Sequence, residues 1–189
     1  MKKKILIIVF MILILGIGMT IKSNIVYIRQ VNVNLDKTYG IIDGKLGLEH
    51  SNIVNCNYTG QNTSQIQHGD KVLNFMSSVV PNMSFYYYNA ETDKGILSEK
   101  MIEGLQWMLD NNVDCVVISL SGKRYSDELA EWIKQNSKNI KIYASYNNEA
   151  NTFDYPARYD NVIGVGTFNT PNVTDDDILY QTNNILLFS

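Results

Sequence analysis

The 189 residues carry a net charge of −3, 16 Lys and Arg against 19 Asp and Glu, which leaves no basic footprint for nucleic acid. Two cysteines, Cys56 and Cys115, are too few for a disulfide framework. The two histidines, His50 and His68, have no Cys/His cluster around them, so neither a metal site nor a cofactor is expected.

In chain order, Lys2-Lys3-Lys4 is followed by an uncharged apolar run over residues 5–21. At ~1.5 Å per helical residue this run is at the short end for a membrane span. A basic start and an apolar middle also fit a secretory signal, but the small-residue cleavage site is missing, the first alanine being Ala90. The expectation over residues 1–24 is an uncleaved anchor helix in preference to a cleaved signal, with the lysines inside and the rest on the extracytoplasmic side of the cell membrane, or secreted where the segment is cut. Residues 25–38 read as a spacer, in which Val31, Val33 and Leu35 alternate as in an edge strand. The folded domain is expected over residues 39–189.

Tyr39-Gly40-Ile41-Ile42-Asp43-Gly44 reads as a strand ending in a carboxylate and a turn. Residues 55–67 are polar and loop-like. His68-Gly69 opens a helix with Val72, Phe75, Met76 and Val79 on one face, and Pro81 stops it. Residues 83–88 form an aromatic strand and residues 91–95 a loop. Ser98 is expected to cap the next helix, with Ile102, Leu105, Met108 and Leu109 as its buried stripe. Asn111 and Asn112 end it. The run around Cys115-Val116-Val117-Ile118 is apolar and rich in β-branched residues, as in a strand buried on both faces. Cys115 reads there as a small buried hydrophobe. Ser119-Leu120-Ser121-Gly122 leaves that strand at its carboxyl end, where open parallel sheets collect ligands. Ser126 caps a further helix with Asp127 and Glu128 at its positive end, Lys134 and Lys138 near its negative end, and Leu129, Trp132 and Ile133 inward. Strands follow at residues 140–145 and 162–166. Strands alternating with helices imply an α/β fold with a largely parallel sheet and helices on both faces. Asp175-Asp176-Asp177 lacks the spaced oxygen ligands of a calcium loop and reads as a solvated turn.

Three polar residues fall just past strands or at a helix start: Asp43, His68 and Asn148. An Asp can hold a His in one tautomer and so make it a general base. An Asn amide can donate to a developing oxyanion. Taken singly, each has an ordinary structural explanation.

The surrounding motifs narrow this. Ile41-Ile42-Asp43-Gly44 with the downstream His50-Ser51-Asn52-Ile53 is similar to the catalytic-aspartate segment of the subtilisin-like serine proteases. His68-Gly69-Asp70-Lys71-Val72 resembles that family's His-Gly-Thr-His-Val. Residues 102–122 resemble its helix, Asn-Asn-x-Asp turn and strand ending in Ser-Leu-Gly-Gly. Ala144-Ser145-Tyr146-Asn147-Asn148-Glu149 resembles Ala-Ala-Gly-Asn-Glu, and Tyr155-Pro156-Ala157 with Val162-Ile163-Gly164-Val165-Gly166 resembles the segment beyond it. The resemblance runs from about residue 39 to residue 189, in the family's order.

It implies a serine endopeptidase acting on peptide or protein substrate. Asp43 would orient His68, His68 would act as base, Asn148 would complete the oxyanion hole, and Ser119, Leu120, Ser121 and Gly122 would border the substrate. No Gly-Thr-Ser-Met-Ala-like segment supplies the nucleophile, so the domain is expected to be incomplete at its carboxyl end and inactive as a single chain. Two other readings stand beside this one. The chain could be a pseudoprotease that binds peptide without cutting, or an enzyme that recovers the serine from a complementing polypeptide. Lys45 and Lys71 depart from the family's pattern, and each is expected to be within reach of the Asp–His pair.

Overall fold

The computed structural model describes residues 36–58, 63–146 and 154–165. Within them the elements are β1 (Tyr39–Asp43), β2 (Ile53–Cys56), α1 (His68–Val79), β3 (Phe85–Asn89), β4 (Glu91–Thr92), β5 (Gly95–Ile96), α2 (Ser98–Asp110), β6 (Cys115–Ile118), α3 (Asp127–Asn136), β7 (Lys141–Ser145) and β8 (Val162–Val165). Six strands form one sheet in the order β2-β3-β1-β6-β7-β8, and every neighbouring pair is parallel. The fold is therefore α/β with a parallel main sheet.

Successive side chains on a strand point to opposite faces, and both faces here are apolar. On one face Ile41, Phe85, Tyr87 and Val117 pack against Val72, Leu73 and Met76 of α1. On the other, Ile42, Tyr88, Val116, Ile118, Ile142 and Ala144 pack with Met101, Leu105 and Met108 of α2 and Leu129 and Ile133 of α3. Helices thus cover both faces. β1 sits between β3 and β6: the chain first crosses to the edge strand β2, returns through β3 beside β1, then passes to the other side and lays down β6, β7 and β8 outward. The connections after β1 and β6 thus lead to opposite sides of the sheet, the kind of position at which open parallel sheets collect ligands, and Asp43 stands there at the carboxyl end of β1.

The turns have local causes. The Asn112 backbone is left-handed, φ 56°, which asparagine tolerates. It delivers Asp114, whose carboxylate accepts from Thr38 N at 2.9 Å and from Lys37 Nζ at 2.7 Å. These bonds tie the start of β1 to the start of β6 and hold the Asp114 carboxyl below the usual range, the Lys37 bond first. Ser126 caps α3 as expected, its Oγ accepting from Leu129 N at 3.2 Å. Cys115 is buried in β6.

Several expectations are corrected. Residues 53–56 form the edge strand β2, overlapping what reads as loop. Its half-exposed side chains and a register shift between Ile53 and Asn55 hide the strand periodicity. Residues 91–96 form a small antiparallel hairpin. Ser98 is the first residue of α2, not its cap; the cap position is Leu97, which makes no side-chain bond. Met101, Gly104, Leu105 and Met108 are the buried residues of α2, while Ile102 and Leu109 are only half-buried. In α1 Leu73 is fully buried and Phe75 half-buried, so the stripe is rotated from the one expected. The expected anchor and spacer over residues 1–35, Asn148, and residues 166–189 lie outside the described residues. Among the described residues, no helix is long and apolar enough to cross a membrane.

Candidate active site

Two elements bring Asp43 and His68 together. Asp43 ends β1 and is 0% exposed. His68 is the first residue of α1, and 60% of its side chain is exposed. The His68 ring nitrogen Nδ1 lies 2.7 Å from Asp43 Oδ1, which also accepts from Gly44 N at 2.6 Å. A carboxylate can only accept, so the bond requires the proton on Nδ1 and leaves the Nε2 lone pair available. Among the described residues Asp43 Oδ2 is buried with no partner. The bond to Asp43 raises the His68 pKa above its ordinary 6.5, against an opposing push from burial. The Asp43 charge adds to the rise and the Lys71 charge subtracts from it.

The approach of α1 to β1 depends on a glycine. A Cβ on Gly69 would lie 1.9 Å from the Tyr87 hydroxyl oxygen. That hydroxyl is buried and donates to Gly44 O at 2.6 Å, bracing the turn after Asp43. Burial pushes the Tyr87 phenol far above its ordinary pKa, so it stays a neutral donor.

The two lysines behave differently from each other. Lys45 turns to Glu91, its Nζ 3.7 Å from Oε1 and its N–H donating to Oε2 at 3.1 Å. It makes no contact with the Asp–His pair, which corrects the expectation that it would bear on it. Lys71 acts on His68 through its charge alone.

Ser119 and Leu120 leave β6 half-buried, and Ser121 and Gly122 are exposed. Gly122 forms an antiparallel bridge with Tyr155, each N–H donating to the other's carbonyl at 2.9 and 2.8 Å. The Tyr155 ring meets Tyr125 edge-on and Tyr159 at a tilt, ring centroids 5.2 and 4.7 Å away. The structure thus brings Asp43 and His68 into contact and leaves Ser119–Gly122 as the segment that follows the neighbouring β6. Asn148 cannot be related to them, because it lies outside the described residues. Among those residues no group of three or more His, Cys, Asp or Glu could hold a metal ion.

Sequence reasoning missed two buried carboxylates. Asp154, beside the Gly122 bridge, is 2% exposed. Asp70 is 0% exposed and accepts four hydrogen bonds. Only its local partner had a readable signal, the spacing of Gln67 and Asp70 around a helix start. Its other donors lie 20 to 23 positions upstream, beyond any local pattern.

The model of the Subtilase family matches residues 35–189. Subtilisin DY from Bacillus licheniformis is 32% identical over 95 residues, 47% of this chain and 35% of that protein. Subtilisin E from Bacillus subtilis (strain 168) is 33% identical over 102 residues, 50% of this chain and 26% of that protein. Among solved structures, the psychrophilic subtilisin-like protease Apa1 from Pseudoalteromonas sp. AS-11 superposes with a TM-score of 0.56 at 17% identity, covering 69% of this chain and 36% of that one. A lanthipeptide protease does so with a TM-score of 0.56 at 16% identity, covering 70% and 49%. At those identities the structures establish the fold. The chain belongs to the subtilase family. It spans about a third or less of the length of these curated relatives.

Proposed function

We propose that the chain carries the proton-transfer half of a serine endopeptidase site. Asp43 holds His68 in its Nδ1–H tautomer, and Nε2 is the base for a serine hydroxyl. Asn148 donates to the oxyanion, and Ser119, Leu120 and Ser121 border the substrate, with Gly122 fixing the end of that stretch through its bridge to Tyr155. The observation that carries this reading is the 2.7 Å bond between a fully buried carboxylate and a largely exposed imidazole.

The 189 residues contain no Gly-Thr-Ser-Met-Ala-like segment. In subtilisin, loss of the serine alone lowers turnover by about 10⁶-fold. A polypeptide of these residues is therefore inactive by itself. A serine-reactive fluorophosphonate probe should leave it unlabelled, and a protease substrate panel should show no turnover above blank. Labelling of Ser189, or of any other serine, would refute the reading. A complementing chain carrying the missing segment would restore both signals.

A second reading, a pseudoprotease, is favoured by the exposed Ser121, which follows β6 next to β1 in the sheet. Peptide capture that depends on Ser119–Gly122 and persists without cleavage would select it. We also place the domain on the extracytoplasmic side, tethered through residues 1–24; the support is the basic start and apolar run of that segment. Release of the chain from membranes by alkaline carbonate would contradict the tether.

A further inference from the structure

The proton-transfer pair does not use Asp70, although it lies in the same helical turn as His68. Its carboxylate is fully buried. Oδ2 accepts from Gln67 N at 2.6 Å and from Gly47 N at 2.9 Å. Oδ1 accepts from Leu48 N at 3.1 Å and from His50 Nε2 at 2.8 Å. The donors come from two segments. Gln67 immediately precedes His68, whereas Gly47, Leu48 and His50 lie on the loop that leaves Asp43. The two segments touch closely, since a Cβ on Gly47 would lie 1.8 Å from the Gln65 carbonyl oxygen.

We propose that Asp70 is a positioning residue for Asp43 and His68, a clamp that ties the loop after Asp43 to the start of α1. The proposal rests on the reading of His68 as base. It needs a carboxylate rather than a neutral side chain, because each oxygen takes two donors. His50 is then part of the clamp and not a second base. Its Nε2 proton is committed to Asp70, the opposite tautomer to that of His68. An Asn at this position keeps the size but aims an NH2 group at two N–H donors, which opens half of the clamp.

The test uses the full chain in detergent micelles with ¹⁵N-labelled histidine, which gives two imidazole spin systems because the sequence has two histidines. In the wild type, long-range ¹H–¹⁵N correlations should show Nδ1–H for His68 and Nε2–H for His50. Asp70→Asn should raise the exchange rate of the His68 Nδ1 proton by about tenfold or more, while the α2 amides keep their protection. A wild-type His68 protonated at Nε2 would overturn the base reading, and the clamp with it. A folded Asp70→Asn chain with the His68 proton unchanged would overturn the clamp alone. Should Asp70→Asn fail to fold, His50→Leu decides. Faster His68 exchange that His50→Gln restores supports the clamp, and unchanged exchange in a folded His50→Leu chain overturns it.

Discussion

At the residue scale, the site is an argument about which nitrogen holds a proton. The bond from His68 to Asp43 raises the imidazole pKa in the folded chain. By linkage, the stability this adds is fully present below the unfolded value near 6.5 and is lost as pH rises through the higher folded value. Base action runs the other way, because Nε2 is free only above the folded value. Lys71 opposes the rise, so Lys71→Met should move the His68 titration midpoint further upward, most clearly at low salt. An NMR titration checks this, and a downward move would contradict it. Gly69→Ala should cost about 1–3 kcal/mol, because its methyl would overlap the Tyr87 hydroxyl, and denaturant unfolding measures the loss. For Asp70, burial pushes the carboxyl up, but the bonds from Gln67, His50, Gly47 and Leu48 outweigh it and leave the pKa lowered. Its contribution is therefore present above the ordinary aspartate value of 3.8 and disappears as pH falls through the lower folded value. Asp43 and His68 were legible in sequence because motif order marks them. The destination of Lys45 was not, since its partner Glu91 lies 46 positions away.

Among the elements, legibility followed burial. β1 and β6 are buried on both faces, and their unbroken apolar runs announce them. α3 shows its cap, its first-turn acids and Lys134 in its last turn. Ser126→Ala should cost about 1 kcal/mol by removing the acceptor for Leu129 N, lowering the urea midpoint without changing the slope. The edge strand β2 was not legible, because an edge with mixed exposure has no strict period to read. The stripe of α2 was displaced for a packing reason. A Cβ at Gly104 would lie 2.8 Å from the Tyr88 ring, so the helix presents its glycine, Met101 and Leu105 to the sheet in place of Ile102.

For the whole molecule, the parallel sheet and the two helical layers followed from the alternation of elements, but the strand order did not. Placing β1 between β3 and β6 is a long-range choice, and it sets Asp43 at the carboxyl end of a central strand. What the described residues present is an imidazole oriented by a buried carboxylate. The most direct measurement is the pH dependence of diethyl pyrocarbonate modification at His68 in the full chain, read by mass spectrometry and compared with Asp43→Asn. The wild-type midpoint should lie above 6.5 and fall when the carboxylate is removed. A midpoint at or below 6.5, or one that Asp43→Asn leaves unmoved, would contradict this.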